Sequence, residues 1–165
     1  MSLADELLDL AESIAGLNGN RPAQAGFRRA VSTAYYALFH FVVGEATANW
    51  NQSEVRPLLG RVFEHGRMKQ ACNSVLGGNV RIPPFAQRAT SEDHLRAVAS
   101  RFVVAQQERE FADYDVSGQW DQKDVDAQIE RVRDAMRSWL VIQDLPIAQK
   151  FLVLLLGAKE KARQL

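Results

Sequence analysis

The chain has 165 residues, of which 47% are apolar and 24% are charged, as in one soluble globular domain with a core of its own. Its 20 basic and 20 acidic side chains cancel, which excludes binding of a polyanion through bulk charge alone. A single cysteine, Cys72, excludes an intramolecular disulfide and a cysteine-based zinc site.

The first two segments have the apolar spacing of helices. Ser2 is followed three residues later by Asp5, which is the spacing of a capping box and predicts a helix start. The second helix opens at Pro22 and fades near 48–51, and its broad apolar stripe predicts a central position. In the first helix, the following residues recur at steps of three and four and are expected to face the core: Leu3, Leu7, Leu10, Ile14 and Leu17.

A third helix is expected to begin at Ser53, which serves as its cap, with Pro57 in the first turn. Gly66 lowers helix stability but does not end a helix, so the pattern is expected to continue past it. Residues 77–90 contain two adjacent glycines and two adjacent prolines without any period, which predicts a loop.

Two further helices follow, each with a capping residue at its start. The fourth begins at Thr90 or Ser91 and breaks near 117–118. The fifth is capped by Asp121, with Asp124 three residues later. No segment shows convincing period-two alternation, so no strand is expected.

The last helix opens around Pro146 and is apolar on most sides. A short helix of this kind must be buried, either in the core or against another chain. The apolar run at 151–156 is too short to span a bilayer, and no signal-peptide pattern is visible, so we expect a cytoplasmic protein with no membrane partner. The fold is therefore predicted to be all-α: an antiparallel up-and-down bundle of four to five helices over 1–143, plus a short apolar C-terminal helix over 144–165.

Several stretches resemble the HEPN domains, small helical bundles found in prokaryotes and higher eukaryotes. "RRAVSTAYYALFHFVVGEA" at 28–46 is similar to their second helix. "EHGRMKQA" at 64–71, "REFADYD" at 109–115 and "DVDAQIERVRDAM" at 124–136 are similar to later elements of an uncharacterised prokaryotic branch. The resemblance covers roughly residues 3–140.

This resemblance implies one of two functions. Many HEPN proteins are metal-independent ribonucleases, often toxins of toxin–antitoxin or defence systems, whose signature is an arginine followed a few residues later by a histidine. Others lack that signature and serve as binding or scaffolding modules. The resemblance also implies a homodimer, an antitoxin or a nucleotidyltransferase-like protein as a partner, and RNA or a nucleotide as a ligand. It implies no cofactor and no metal.

The position that matches the signature holds Arg109 and, five residues later, Tyr114 in place of histidine. Cleavage of RNA through its own 2′-hydroxyl needs a base near neutral pH and a cation over the phosphorus. A phenol with a pKa near 10 is a poor base, and Glu110 and Asp113 would repel phosphate. On a helix, Arg109 is expected to pair with Asp113 or with Asp115.

A second candidate is Arg61 with His65, placed one turn apart on one face of the predicted third helix. If the third and fourth helices pack side by side, His65 could approach Arg109. A composite site of Arg109, Tyr114 and His65 is therefore a further candidate for catalysis.

The second helix contributes other candidate binding residues. His40 lies four residues after Tyr36 and shares its face, and a buried histidine bonded to a carbonyl or a tyrosine is the common outcome. Tyr35 and Tyr36 point about 100° apart, so one is expected in the core while the other reaches toward Arg109. The basic pair at 28–29 forms either a solvated face or a rim that faces phosphate.

The departure at Tyr114 favours a HEPN-like binding or interaction module without efficient catalysis. The alternative is a metal-independent ribonuclease with a non-standard site of arginine, tyrosine and histidine. The sequence has no Gly-rich phosphate loop and no paired histidines at helical spacing, so nucleotide-hydrolysing and metal-dependent chemistry are disfavoured.

Overall fold

Helices form all the regular secondary structure in the part of the chain that the computed structural model describes, residues 1–16, 24–77 and 89–157. This confirms the all-α prediction. Seven α-helices and one short 3-10 helix at Ser53–Val55 are present there. The α-helices are α1 at Leu3–Gly16, α2 at Gln24–Ala48, α3 at Arg56–Gly60, α4 at His65–Leu76, α5 at Ser91–Tyr114, α6 at Gln122–Ile142 and α7 at Pro146–Leu155.

The four long helices α1, α2, α5 and α6 form an up-and-down bundle, with α2 at its centre in contact with the other three. Arg28 at the start of α2 bonds Ala112 at the end of α5, so these two helices are antiparallel. Gln128 of α6 donates to the carbonyl of Ala105 on α5, while Asp134 further along α6 pairs with Arg101, so α5 and α6 are also antiparallel.

The helix starts agree well with the predicted capping residues. Ser2, Thr90 and Asp121 each accept a hydrogen bond from the backbone N–H of an aspartate three residues later, at distances of 3.2, 3.2 and 2.9 Å. Each aspartate bonds back to the backbone of its cap, which completes three capping boxes. The cap of α5 is therefore Thr90 and not Ser91.

The predicted core face of α1 is wrong. The buried residues are three alanines and one leucine: Ala4, Leu8, Ala11 and Ala15. Leu3 and Leu10 are 54% and 48% exposed, and Leu7 and Ile14 are only partly buried. Leu17 and Pro22 lie outside the described residues. The small side chains of the alanines let α1 approach α2 closely. The close packing gained in this way outweighs the larger apolar area that burial of the leucines would remove from water.

The predicted third helix is divided in two. Ser53 lies in the 3-10 helix and does not cap an α-helix, although Pro57 does occupy the first turn of α3. The chain then leaves helical geometry between α3 and α4, at 61–64, where it inserts the side chain of Phe63 into the core. Gly66 therefore belongs to the first turn of α4, and Arg61 and His65 do not share a helix.

The last helix, α7, packs against α4, α5 and α6 of the same chain. The ring of Phe151 is buried 6.2 Å from that of Trp139, measured between centroids. The buried side of α7 is thus covered within the chain, while Val153 on its other side is 55% exposed. None of the helices in the described ranges is both long enough and apolar enough to cross a membrane.

Candidate functional site

Aromatic and charged side chains meet where α2, α4 and α5 come together. We call this group the α2/α4/α5 cluster. Four residues form its centre: Tyr35, Tyr36, His65 and Arg109. Four more extend it: Asp113 and Tyr114 contact the arginine, and Lys69 pairs with Glu110. The fold thus brings His65 close to Arg109 from a different helix, as the composite-site hypothesis requires.

A short hydrogen bond joins the hydroxyl of Tyr35 to Nδ1 of His65, at 2.6 Å. Tyr35 is completely buried, and burial raises the pKa of its phenol far above the ordinary value, so the phenol keeps its proton. The imidazole of His65 also lies against the ring of Phe39, with centroids 4.1 Å apart. The position and tilt of His65 are therefore set by residues of α2.

The tautomer of His65 can be assigned from this hydrogen bond. A buried hydroxyl that keeps its proton needs an acceptor, and Nδ1 of His65 is within hydrogen-bond distance. A neutral imidazole that accepts at Nδ1 carries its proton at Nε2. On this assignment, made from the hydrogen-bond network, His65 presents a hydrogen-bond donor and not a free base.

Arg109 is held on three sides. One terminal nitrogen donates to the hydroxyl of Tyr36 at 3.0 Å, and Nε lies 2.8 Å from a carboxylate oxygen of Asp113. The guanidinium carbon lies 5.5 Å from the ring centre of Tyr36 and 5.8 Å from that of Tyr114. Its side chain is 16% exposed, so this cation is fixed at the surface of the bundle and not solvated freely.

A second ion pair lies beside the first. Lys69 of α4 approaches the carboxylate of Glu110 to 3.3 Å, and Gln106 donates to the same carboxylate at 3.2 Å. Both cations of the cluster therefore face carboxylates, which lowers their combined attraction for phosphate. An anionic ligand must compete with Asp113 for Arg109 and with Glu110 for Lys69.

The remaining candidates have other surroundings. Arg61 is exposed and follows the last turn of α3, so the predicted pairing of Arg61 with His65 on one helical face is wrong. Tyr114 is 73% exposed and offers its ring to Arg109. His40 is half-buried and contacts the ring of Phe39 edge-on at 5.4 Å, whereas the histidine that bonds a tyrosine is His65.

The structure also adds residues that sequence reasoning missed. The prediction that one tyrosine lies in the core and the other reaches toward Arg109 is confirmed, and the structure assigns the core position to Tyr35 and the contact to Tyr36. The bond from Tyr35 to His65 joins residues 30 positions apart, so no local spacing could reveal it. Nothing in the sequence around Lys69, apart from its charge, indicated that it would lie in this cluster.

The protein is expected to lose stability in mildly acidic solution. Burial lowers the pKa of His65, with the charge of Arg109 acting in the same direction, and burial lowers the pKa of His40. Both histidines therefore bind protons more weakly in the folded protein than in the unfolded chain, where the pKa of histidine is about 6.5. Their contribution to the free energy of unfolding is complete above about pH 6.5 and is lost as the pH falls toward their pKa values in the folded protein.

Urea unfolding at pH 7.5 and at pH 5.5 measures this effect. We expect a lower midpoint at pH 5.5 and a smaller drop in the double variant His40→Gln/His65→Gln. An equal drop in the wild type and the double variant would assign the pH dependence to other groups.

Neither metal nor thiol chemistry has support in the described residues. No group of three or more histidine, cysteine, aspartate or glutamate side chains there could hold a metal ion. Cys72 is buried, and burial raises the pKa of its thiol well above the ordinary value, so it is unreactive.

Three comparisons with known proteins gave no match: no family model, no curated protein and no solved structure matches the chain. The function is therefore inferred from the geometry of the cluster, together with the resemblance of the sequence motifs.

Proposed function

We propose that the chain is a HEPN-like binding module without efficient catalysis, which holds an anionic group of RNA or of a nucleotide at the α2/α4/α5 cluster. The observation that carries this proposal is the hydrogen bond from Tyr35 to Nδ1 of His65. With Tyr35 assigned as the donor, His65 carries its proton at Nε2, so the ring can donate to an oxygen but does not accept a proton from a 2′-hydroxyl.

The other groups of the cluster fit the same role. Arg109 and Lys69 supply cationic donors, and Tyr36 places the guanidinium. Tyr114 stands where the HEPN signature has its histidine, and a phenol is a poor base at neutral pH. The cluster therefore has donors for an anion, while Nδ1 of His65 is already occupied by the hydroxyl of Tyr35, which is the composition of a binding site.

The HEPN resemblance extends the proposal to assembly. The proposal includes a homodimer, and it includes an antitoxin or a nucleotidyltransferase-like protein as a partner. The buried side of α7 is not available for a dimer contact because α4, α5 and α6 of the same chain cover it. A dimer would need to use other exposed apolar residues.

Binding of a fluorescent single-stranded RNA and of a fluorescent nucleotide, followed by anisotropy in the presence of EDTA, tests the proposal. Loss of the charged donor in Arg109→Ala should weaken binding about tenfold or more, since a hydrogen bond to a charged group contributes about 1.5–3 kcal/mol. The control Arg61→Ala removes an exposed arginine outside the cluster and should bind as the wild type does. Equal binding by the two variants, or no binding by the wild type, would contradict the proposal.

A ribonuclease remains the second candidate because His65 and Arg109 both contact Tyr36. The His65 and Tyr36 rings have centroids 5.9 Å apart, and the guanidinium carbon lies 5.5 Å from the same tyrosine ring. Incubation of the protein with mixed RNA in EDTA distinguishes the two functions. Intact RNA supports the binding module. Cleavage that is lost in both Arg109→Ala and His65→Ala would establish the nuclease instead.

A further inference from the structure

Helix α1 has a second apolar face beside its buried one, and the bundle covers that second face only in part. Ala4, Leu8, Ala11 and Ala15 form the buried face. The second face is formed by Leu3, Leu7, Leu10 and Ile14, and we call it the outer α1 seam. Two of its leucines are about half exposed, and the other two apolar residues are partly buried against the core.

The spacing of the outer α1 seam is that of a helix–helix contact. Its residues follow one another at steps of four, three and four, so they lie in one line along the helix. The line is about 16 Å long at 1.5 Å per residue, which is three turns. A second helix laid along it could insert side chains at matching positions.

The seam continues into a groove at the start of α1. Leu3 lines this groove together with Phe41 of α2, Pro57 of α3 and Leu140 of α6. Its volume is about 650 Å³, which is enough to receive large apolar side chains. Leu140 is itself 56% exposed, and three charged residues also line the groove: Asp5, Glu45 and Arg56.

The charge of α1 identifies the kind of partner. The helix carries four carboxylates and neither lysine nor arginine. The carboxylates of Asp5 and Glu12 already act within the chain, in the cap of α1 and in an ion pair with Arg133. Within the described residues, those of Glu6 and Asp9 take part in no ion pair, and both residues are exposed.

From these observations we propose that the outer α1 seam binds an amphipathic helix of a partner protein, with leucine-like anchors and flanking lysines or arginines. Basic flanks would face Glu6, which lies beside the seam, while the anchors pack on the seam and enter the groove. A second copy of this chain fits less well, because pairing of α1 with α1 would bring two acidic edges together. None of the seam residues belongs to the α2/α4/α5 cluster, so this inference is independent of the proposed function.

The test uses two designed fluorescent helical peptides with identical leucine spacing, one flanked by lysines and one flanked by glutamates. Anisotropy with the full chain should show binding of the lysine-flanked peptide and none of the glutamate-flanked peptide. Leu10→Glu should weaken that binding at least tenfold, although the added negative charge would strengthen a contact that was only electrostatic. The control Val153→Glu places the same charge at an equally exposed site on α7 and should bind as the wild type does.

Three outcomes would overturn this inference: equal binding of both peptides, equal loss in the two variants, or tighter binding by Leu10→Glu. A dimer in light scattering that dissociates in Leu10→Glu would assign the seam to a second copy and would overturn it as well. Both substitutions lie at the surface, and circular dichroism should show an unchanged helix content. RNA binding at the cluster should also be unchanged in Leu10→Glu, so the failure of one proposal is distinguishable from failure of the other.

Discussion

Replacement of Trp139 by alanine is expected to lower the free energy of unfolding by about 3–5 kcal/mol, the range for loss of a large buried aromatic side chain. Trp139 is 1% exposed, and its ring lies 6.2 Å from that of Phe151, so it joins α6 to α7. Its indole N–H also donates to the carboxylate of Glu45 on α2 at 2.8 Å. The alanine variant therefore leaves a cavity and removes the partner of a partly buried carboxylate.

Urea unfolding followed by circular dichroism measures this loss without relying on tryptophan fluorescence. Trp50→Ala is the matched control, because Trp50 is 51% exposed and its backbone carbonyl, which accepts from Arg56, is retained. The control should change the free energy of unfolding by about 0.5 kcal/mol or less. A loss below about 1 kcal/mol in Trp139→Ala would show that α7 does not pack on α6 as described.

The sequence predicted three helix starts correctly, whereas it predicted the wrong core face for α1. A capping box needs only two residues at a fixed spacing, so Ser2 and Asp121 could be identified without knowledge of the tertiary structure, and Thr90 was one of two alternatives. The buried face of α1 depends on how closely α2 approaches. Alanines at that face permit the close approach, and a pattern that gives most weight to leucine selects the outer α1 seam instead.

The break between α3 and α4 shows a second limit. Gly66 is the residue that local helix propensity marks as weak, but the first turn of a helix tolerates glycine well. The break comes earlier because Phe63 must turn into the core. That requirement is set by the packing of the core, and a single sequence does not encode it in any local pattern.

The candidate site, too, could be predicted only in part from the sequence. The ion pair between Arg109 and Asp113 joins residues four apart on one helix, and it is one of the two pairings that the spacing left open. The approach of His65 to Arg109 was a hypothesis about two helices, and the fold brings them together. The bond that assigns the tautomer of His65 could not be predicted, because it depends on which tyrosine of the pair enters the core.

Replacement of Arg28 by alanine is expected to lower the free energy of unfolding by about 2–3 kcal/mol and to weaken ligand binding at the cluster. The guanidinium of Arg28 donates to the carbonyls of Ala112 and Gly118, at 2.9 and 2.7 Å. Each such charged hydrogen bond contributes about 1.5–3 kcal/mol, reduced here by partial exposure to water. Ala112 lies in the last turn of α5, between Arg109 and Asp113. Without the hydrogen bond from Arg28 to Ala112, this turn is held less firmly, and it is the turn that carries Arg109.

The adjacent arginine provides the control, since Arg29 is exposed and its side chain can be removed without loss of these two bonds. Arg29→Ala should change the free energy of unfolding by about 0.5 kcal/mol or less. Urea unfolding gives the stabilities, and hydrogen exchange at the amides of 109–114 reports whether the last turn of α5 opens. We expect faster exchange there in Arg28→Ala only, together with weaker RNA binding. If both arginine variants weaken RNA binding while exchange is unchanged, the basic pair contacts phosphate directly, and the support of α5 by Arg28 has no part in binding.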